Sequence, residues 1–241
     1  MPNPIVVDIS HHNPTPDWQA LKAGGTLGCI LKATEGASYV DPTFQSRWAA
    51  AKDNGLLRSA YHFLRPGSRL QLLSQLEHFL DVVNPSPTER LCLDWEDADV
   101  SFEEVEIAAA TLMNMGHQVT IYGSNVLVDA CKGKTSVTLS KTSLWQARYS
   151  SNEPEVPSIW PTWSLWQFTE KAKVTGIKGA VDGNHWNGHP ANLPAWFDSS
   201  LALPPVERPP EPVPEPDDDM TISMTVPPGF KVVINGREVI A

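Results

Sequence analysis

Apolar runs rich in β-branched residues recur along the chain, and segments with apolar positions at three- and four-residue spacing lie between most of the earlier ones. The runs predict eight strands: Ile5 to Asp8, Gly28 to Lys32, Leu57 to His62, Leu91 to Glu96, Val119 to Tyr122, Ser143 to Ala147, Leu165 to Phe168 and Gly179 to Asp182. The intervening segments predict five helices: Asp17 to Ala23, Thr43 to Asn54, Leu70 to Val83, Phe102 to Met115 and Asn125 to Cys131. Ser101 followed three residues later by Glu104 is a capping box that starts the fourth, and Gly55 and Gly116 are natural stops for the second and fourth. Alternating strand and helix imply parallel pairing, so the expected fold is α/β, an irregular TIM-like β/α barrel of eight strands and five helices. From Arg148 onward Pro, Trp and Ser displace the helical spacing, and the barrel should be irregular there.

The pattern breaks at residue 204. Residues 204–219 hold seven prolines, six acids and one base. Fixed φ angles and like-charge repulsion make this an extended, semi-rigid spacer. It separates a main domain, residues 1–203, from residues 220–241, which read as a small β-meander: Thr221 to Val226, a Pro-Pro-Gly turn, Lys231 to Ile234, the hairpin dipeptide Asn235-Gly236, and Arg237 to Ile240. A unit of that size rarely stands alone in water, so self-association or docking into a larger assembly is expected of it.

The 241 residues are 41% hydrophobic and 19% charged, which is globular composition. The net charge of -10 argues against nucleic acid as a partner. No apolar run approaches the length of a membrane helix, and the first residues lack a basic start followed by an apolar stretch, so neither membrane insertion nor a signal peptide is predicted. Cys29, Cys92 and Cys131 are widely spaced and odd in number, which predicts buried free thiols. No histidine falls in a metal-binding spacing and no nucleotide fingerprint occurs, so no metal or cofactor is expected. His62 reads as a hydrogen-bonded core histidine.

In a β/α barrel the chemistry gathers at the carboxyl ends of the strands. Asp8 closes the first predicted strand, Glu35 lies just beyond the second, and Tyr61 and His62 end the third. Asp94 and Glu96 end the fourth, Tyr122 the fifth, Trp145 with Gln146 the sixth, Trp166 and Gln167 the seventh, and Asp182 the eighth. Residues i and i+2 of a strand share a face, so Asp94 and Glu96 can both point into the mouth. Two acids held close cannot both ionise freely, which yields a general acid beside a carboxylate, the pair that glycosidic bond cleavage uses. The nine tryptophans fit sugar stacking or core filling, the latter favoured for Trp18 and Trp48.

In order along the chain, Asp8-Ile9-Ser10-His11-His12-Asn13 with Asp17-Trp18, Lys32-Ala33-Thr34-Glu35-Gly36 with Asp41-Pro42-Thr43-Phe44, Ala60-Tyr61-His62-Phe63 and Asp94-Trp95-Glu96 form one set of motifs. Leu144 to Tyr149, Leu165 to Phe168 and Val181 to Asn184 continue it. Together they resemble glycoside hydrolase family 25, the Chalaropsis-type lysozymes common among bacteriophage endolysins. The resemblance implies a retaining N-acetylmuramidase that cuts the β-1,4 bond between N-acetylmuramic acid and N-acetylglucosamine in peptidoglycan. It assigns Glu96 as general acid and base, Asp94 as its partner toward the substrate acetamido group or the cationic transition state, and Asp8 and Asp182 as flanking acids. Tyr61, Tyr122, Trp145, Trp166, Glu35, Gln167 and Asn184 become candidates for binding the sugar. The expected partner is therefore the peptidoglycan glycan strand, reached from the host cytoplasm through a holin or carried on a virion. A chitinase-like barrel glycosidase, a wall-binding module without activity and a structural role for residues 220–241 are the alternatives.

Overall fold

The structure, a computed structural model, describes residues 5–202, 232–234 and 237–239. The chain divides into two units, Met1–Leu203 and Pro204–Ala241. In the first, nine strands alternate with helices in the order β1 (Val6–Ile9), α1 (Trp18–Ala23), β2 (Gly28–Glu35), β3 (Tyr39–Val40), α2 (Phe44–Asp53), β4 (Leu57–Phe63), α3 (Arg69–Val83) and β5 (Leu91–Asp94). They continue as α4 (Phe102–Asn114), β6 (Val119–Gly123), α5 (Asn125–Cys131), β7 (Ser143–Ala147), β8 (Leu165–Ala172), β9 (Val181–Trp186) and α6 (Leu193–Phe197). Every strand and helix predicted within residues 1–203 is present within a few residues. Two elements escaped the pattern. β3 is a two-residue strand hairpinned on β2, and α6 is five residues long with Pro194 in its first turn.

Local chemistry explains the boundaries. Asp17 caps α1 through the amide of Ala20, and Ser101 with Glu104 forms the expected capping box of α4. A second capping box, Ser68 with Gln71, starts α3. Gly55 and Gly116 take φ of 68° and 97° just past α2 and α4, a conformation that glycine adopts freely.

Eight strands close a barrel in the order β1, β2, β4, β5, β6, β7, β8, β9, with β9 returning to β1. Seven are parallel. β9 runs antiparallel to both β8 and β1, which corrects the expectation of an all-parallel barrel. The reason lies in the connection: no helix stands between β8 and β9, and a parallel return needs a crossover of about a dozen residues or more. Asp182 therefore stands near the start of an antiparallel strand, opposite Asp8 in register. The start of a reversed strand lies at the same rim as the ends of parallel ones, so Asp182 still reaches the mouth.

Alternation along the strands sorts side chains into two layers. Leu31, Leu93, Leu144 and Trp166 pack outward under the helices, while Val6, Ile30, Cys92, Trp145 and Leu165 fill the barrel interior with Leu193, Trp196 and Phe197 of α6. Those α6 side chains close the base. Gly28 permits the closure, because a Cβ there would lie 2.7 Å from the Phe197 ring. Arg90, just before β5, fastens α6: its Nε donates to the Trp196 carbonyl at 2.5 Å, and its other nitrogens reach the Val119 carbonyl, Thr120, Ser143 and Gln118. Cys29, Cys92 and Cys131 are buried and unpaired. Among the described residues no helix is long and apolar enough to cross a membrane, and no group of acids, cysteines or histidines is arranged to hold a metal ion.

In the second unit, β10 (Val232–Ile234) pairs antiparallel with β11 (Arg237–Val239), matching Val232 with Val239 and Ile234 with Arg237 across Asn235-Gly236. The predicted strand Thr221 to Val226 and the spacer 204–219 lie outside the described residues.

Candidate active site

The mouth of the barrel holds a pocket of about 160 Å³ lined by all four predicted acids, Asp8, Asp94, Glu96 and Asp182. Tyr61, Tyr122, Trp145 and Gln167 line it too, together with Tyr149. β5 delivers two of the acids by strict alternation: Leu93 and Trp95 turn outward into the helix layer, and Asp94 and Glu96 turn inward. Trp95 anchors the turn after the strand, since its amide donates to the Tyr122 carbonyl at 2.9 Å and its indole to the Val100 carbonyl at 2.9 Å. Gly123 makes room here, as a Cβ would come 2.9 Å from the Trp95 carbonyl oxygen.

The four carboxyls differ in their surroundings. Asp8 is buried and fully bonded: Gln167 Nε2 donates to both its oxygens at 3.0 Å, and Asn184 Nδ2 donates to Oδ2 at 2.8 Å. Both amides are themselves fixed. The Tyr122 and Tyr149 hydroxyls donate to Gln167 Oε1 at 2.9 and 3.0 Å, and Trp145 Nε1 donates to Asn184 Oδ1 at 2.6 Å. Burial, reinforced by the charge of Asp182, holds the Asp8 carboxyl well above the usual carboxylate range in spite of these donors. Asp94 is equally buried, yet its Oδ1 has no donor among the described residues. Burial and then the charge of Glu96 push it up strongly. Glu96 stands at the solvent edge and is raised by partial loss of water and by Asp182, against the pull of Lys32. Asp182 is raised by burial, against the pull of its hydrogen bond with Asp8. The pocket thus favours protons on several carboxyls, the condition for a general acid near neutral pH.

Three predicted site residues, Trp166, Glu35 and Asn184, do not line this pocket. Trp166 faces the outer layer, because Leu165 and Gln167 take the inward positions of β8; it packs edge-on against Trp163 and donates to the Arg148 carbonyl at 2.8 Å. Glu35 ends β2 in an ion-pair chain, 2.7 Å from Lys32 and 2.6 Å from Arg65, which also pairs with Asp97 at 2.8 Å. Burial alone would raise its carboxyl, but those two cations bring it below the usual value. Asn184 is completely buried behind Asp8 and serves as its support instead of meeting the solvent. His62 is a core residue, as expected, bonded through Nδ1 to Thr34 at 2.8 Å and pushed down to about 3 by burial.

The prediction missed two residues as members of the site. Tyr149 lies four residues past Trp145 in the segment after β7, and that offset alone marked it as near the mouth. Lys32 follows Ile30 by two on β2, so it shares the inward face, and its charge bears on both Asp94 and Glu96.

A barrel whose mouth assembles paired carboxyls and tyrosine rings is the frame of a glycoside hydrolase. The chain matches the Glycosyl hydrolases family 25 model over residues 7–177 and belongs to that family. It is 28% identical to Lysozyme M1 of Streptomyces globisporus over 204 residues, covering 78% of this chain and 69% of that protein. A bacterial lysozyme from Streptomyces coelicolor superposes with a TM-score of 0.71 at 28% identity, over 81% of this chain and 97% of the other. A muramidase from Trichobolus zukalii gives 0.70 at 26%, over 80% and 98%.

Proposed function

We propose that the chain is an N-acetylmuramidase that hydrolyses the β-1,4 bond between N-acetylmuramic acid and N-acetylglucosamine of peptidoglycan, with retention of configuration. The observation that carries this reading is the joint lining of one pocket by Asp8, Asp94, Glu96 and Asp182, with Glu96 raised in proton affinity at its solvent edge. Protonated Glu96 gives its proton to the glycosidic oxygen as the bond to the anomeric carbon breaks. The acetamido carbonyl of the muramic acid forms a bond to that carbon, oriented by Asp94 through the oxygen left without a partner. Glu96, now a carboxylate, takes a proton from water as the water oxygen opens the cyclic intermediate, and both groups return to their starting states. Partial burial and then the charge of Asp182 favour a proton on Glu96, and Asp8 fixes the floor on which Tyr61, Tyr122 and Trp145 meet the sugar.

Digestion of purified peptidoglycan by wild type and Glu96→Gln, followed by borohydride reduction and mass spectrometry, tests this. Muramitol ends from wild type alone are expected. Glucosaminitol ends would move the scissile bond, and no new ends from folded wild type on several wall types would leave a binding module.

The setting proposed is that of a phage endolysin acting on the cell wall, with residues 204–219 as spacer and 220–241 as an element for self-association or virion assembly. The proline and acid content of the first and the paired strands of the second support it. Sizing the full chain against one ending at Leu203 checks the last point, and equal monomeric masses would remove self-association.

A further inference from the structure

We propose that the groove beyond Glu96 is a second binding site, which takes the peptide substituent of the glycan by recognising its charged and amide groups. This rests on the muramidase reading and deepens it. The groove has a volume of about 590 Å³ and shares Glu96 and Tyr149 with the acid pocket, so an occupant is contiguous with the bond being cut. That size is within the usual range of small-ligand sites, about 300–1,000 Å³.

Its lining differs in kind from the acid pocket. Tyr149 is its one ring, whereas the acid pocket has Tyr61, Tyr122 and Trp145 besides. What the groove offers is the amides of Gln146 and Asn125, the hydroxyl of Ser124, and the charges of Arg148 and Glu155 beside Glu96. Gln146 takes the outward position of β7 between the inward Trp145 and Ala147, and only 3% of it is exposed. Its Nε2 donates to the Glu155 carbonyl at 3.1 Å, while Oε1 has no donor among the described residues. A buried amide oxygen left without a donor is costly, and a ligand N–H relieves it.

Arg148 follows on the same wall, exposed and bonded through one nitrogen to the Glu153 carbonyl at 3.3 Å. Neither Arg148 nor Glu155 has an ion-pair partner within reach among the described residues. With the lactyl carboxyl of the muramic acid in amide linkage to its peptide, the sugars of the strand carry no charge to match either. A peptide with a carboxylate and a diamino-acid ammonium matches both, and its backbone N–H groups match Gln146.

Calorimetric titration with an N-acetylmuramyl tripeptide ending in a diamino acid, against the same compound amidated at its carboxylates and acetylated at its amine, is the test. Wild type should bind the charged compound about tenfold more tightly, as expected for charge-assisted hydrogen bonds. Arg148→Ala should reduce that preference to under about threefold. Equal affinity in wild type, or a preference that survives Arg148→Ala, overturns the proposal. Peptidoglycan digestion run alongside separates the two readings: peptide preference without muramitol release sinks only the muramidase reading, and release without preference sinks only this one.

Discussion

The two ends of the barrel are built from opposite principles. At the base, the buried guanidinium of Arg90 is bonded from all three nitrogens to the Trp196 and Val119 carbonyls, Thr120, Ser143 and Gln118, and α6 closes over it. At the mouth, Asp94 is just as buried but Oδ1 is unmatched, and Glu96 faces water. Satisfied buried polar groups fix a structure, whereas unsatisfied ones are held in place by it at a cost. Asp8 stands between these cases: it belongs to the mouth, yet Gln167 and Asn184 bind it as firmly as the base binds Arg90. The mouth is therefore half scaffold and half open valence, and the open half lies at the end of β5 and just past it.

Substitutions that separate stability from activity test that contrast. Glu96→Gln should give the largest effect, lowering kcat/KM on peptidoglycan by about 10²–10⁴ with unchanged thermal midpoint. A comparable loss of midpoint would mean that Glu96 is structural. Arg90→Met should do the reverse, lowering unfolding free energy by about 3 kcal/mol in urea titration while the folded fraction keeps its specific activity. Asn184→Ala should cost about 1–3 kcal/mol, because Asp8 and the Trp145 indole each lose a partner.

Asp94→Asn should lower activity yet raise stability at pH 7. An acid raised in the fold binds its proton more tightly there than in the unfolded chain, so its contribution is full at low pH and is lost as pH rises toward the folded value. The advantage of the variant over wild type should accordingly vanish near pH 3, which unfolding curves at both pH values would show. The smallest shift is expected from Asp182→Asn: it removes the charge that raises Glu96, so the basic limb of the kcat/KM profile moves to lower pH. An unmoved limb would leave burial as the cause.

Legibility in the sequence followed the range of the interactions. Asp94 and Glu96 were placed together because strand alternation is a local rule, and the Ser101–Glu104 capping box is closed within four residues. Trp166 and Gln167 both end a predicted strand and alternation lets only one of two neighbours turn inward; which one depends on the face of β8 that meets the barrel, and Gln167 takes that position. Glu35 was placed by its motif, but its ion pair with Arg65 comes from thirty residues away and holds it at the rim.

The sequence by itself determined the number and order of the barrel strands, the ends of the main helices and the acids carried at the rim, since period-two alternation, capping and glycine stops are properties of short segments. Only the tertiary structure decided that β9 runs backwards, that α6 seals the base, and that Asp8 is gripped by Gln167 and Asn184 from 159 and 176 residues away. It also decided which acid is left with an empty acceptor. Those outcomes depend on which residues meet when the barrel closes, and closure brings together segments that no local pattern relates.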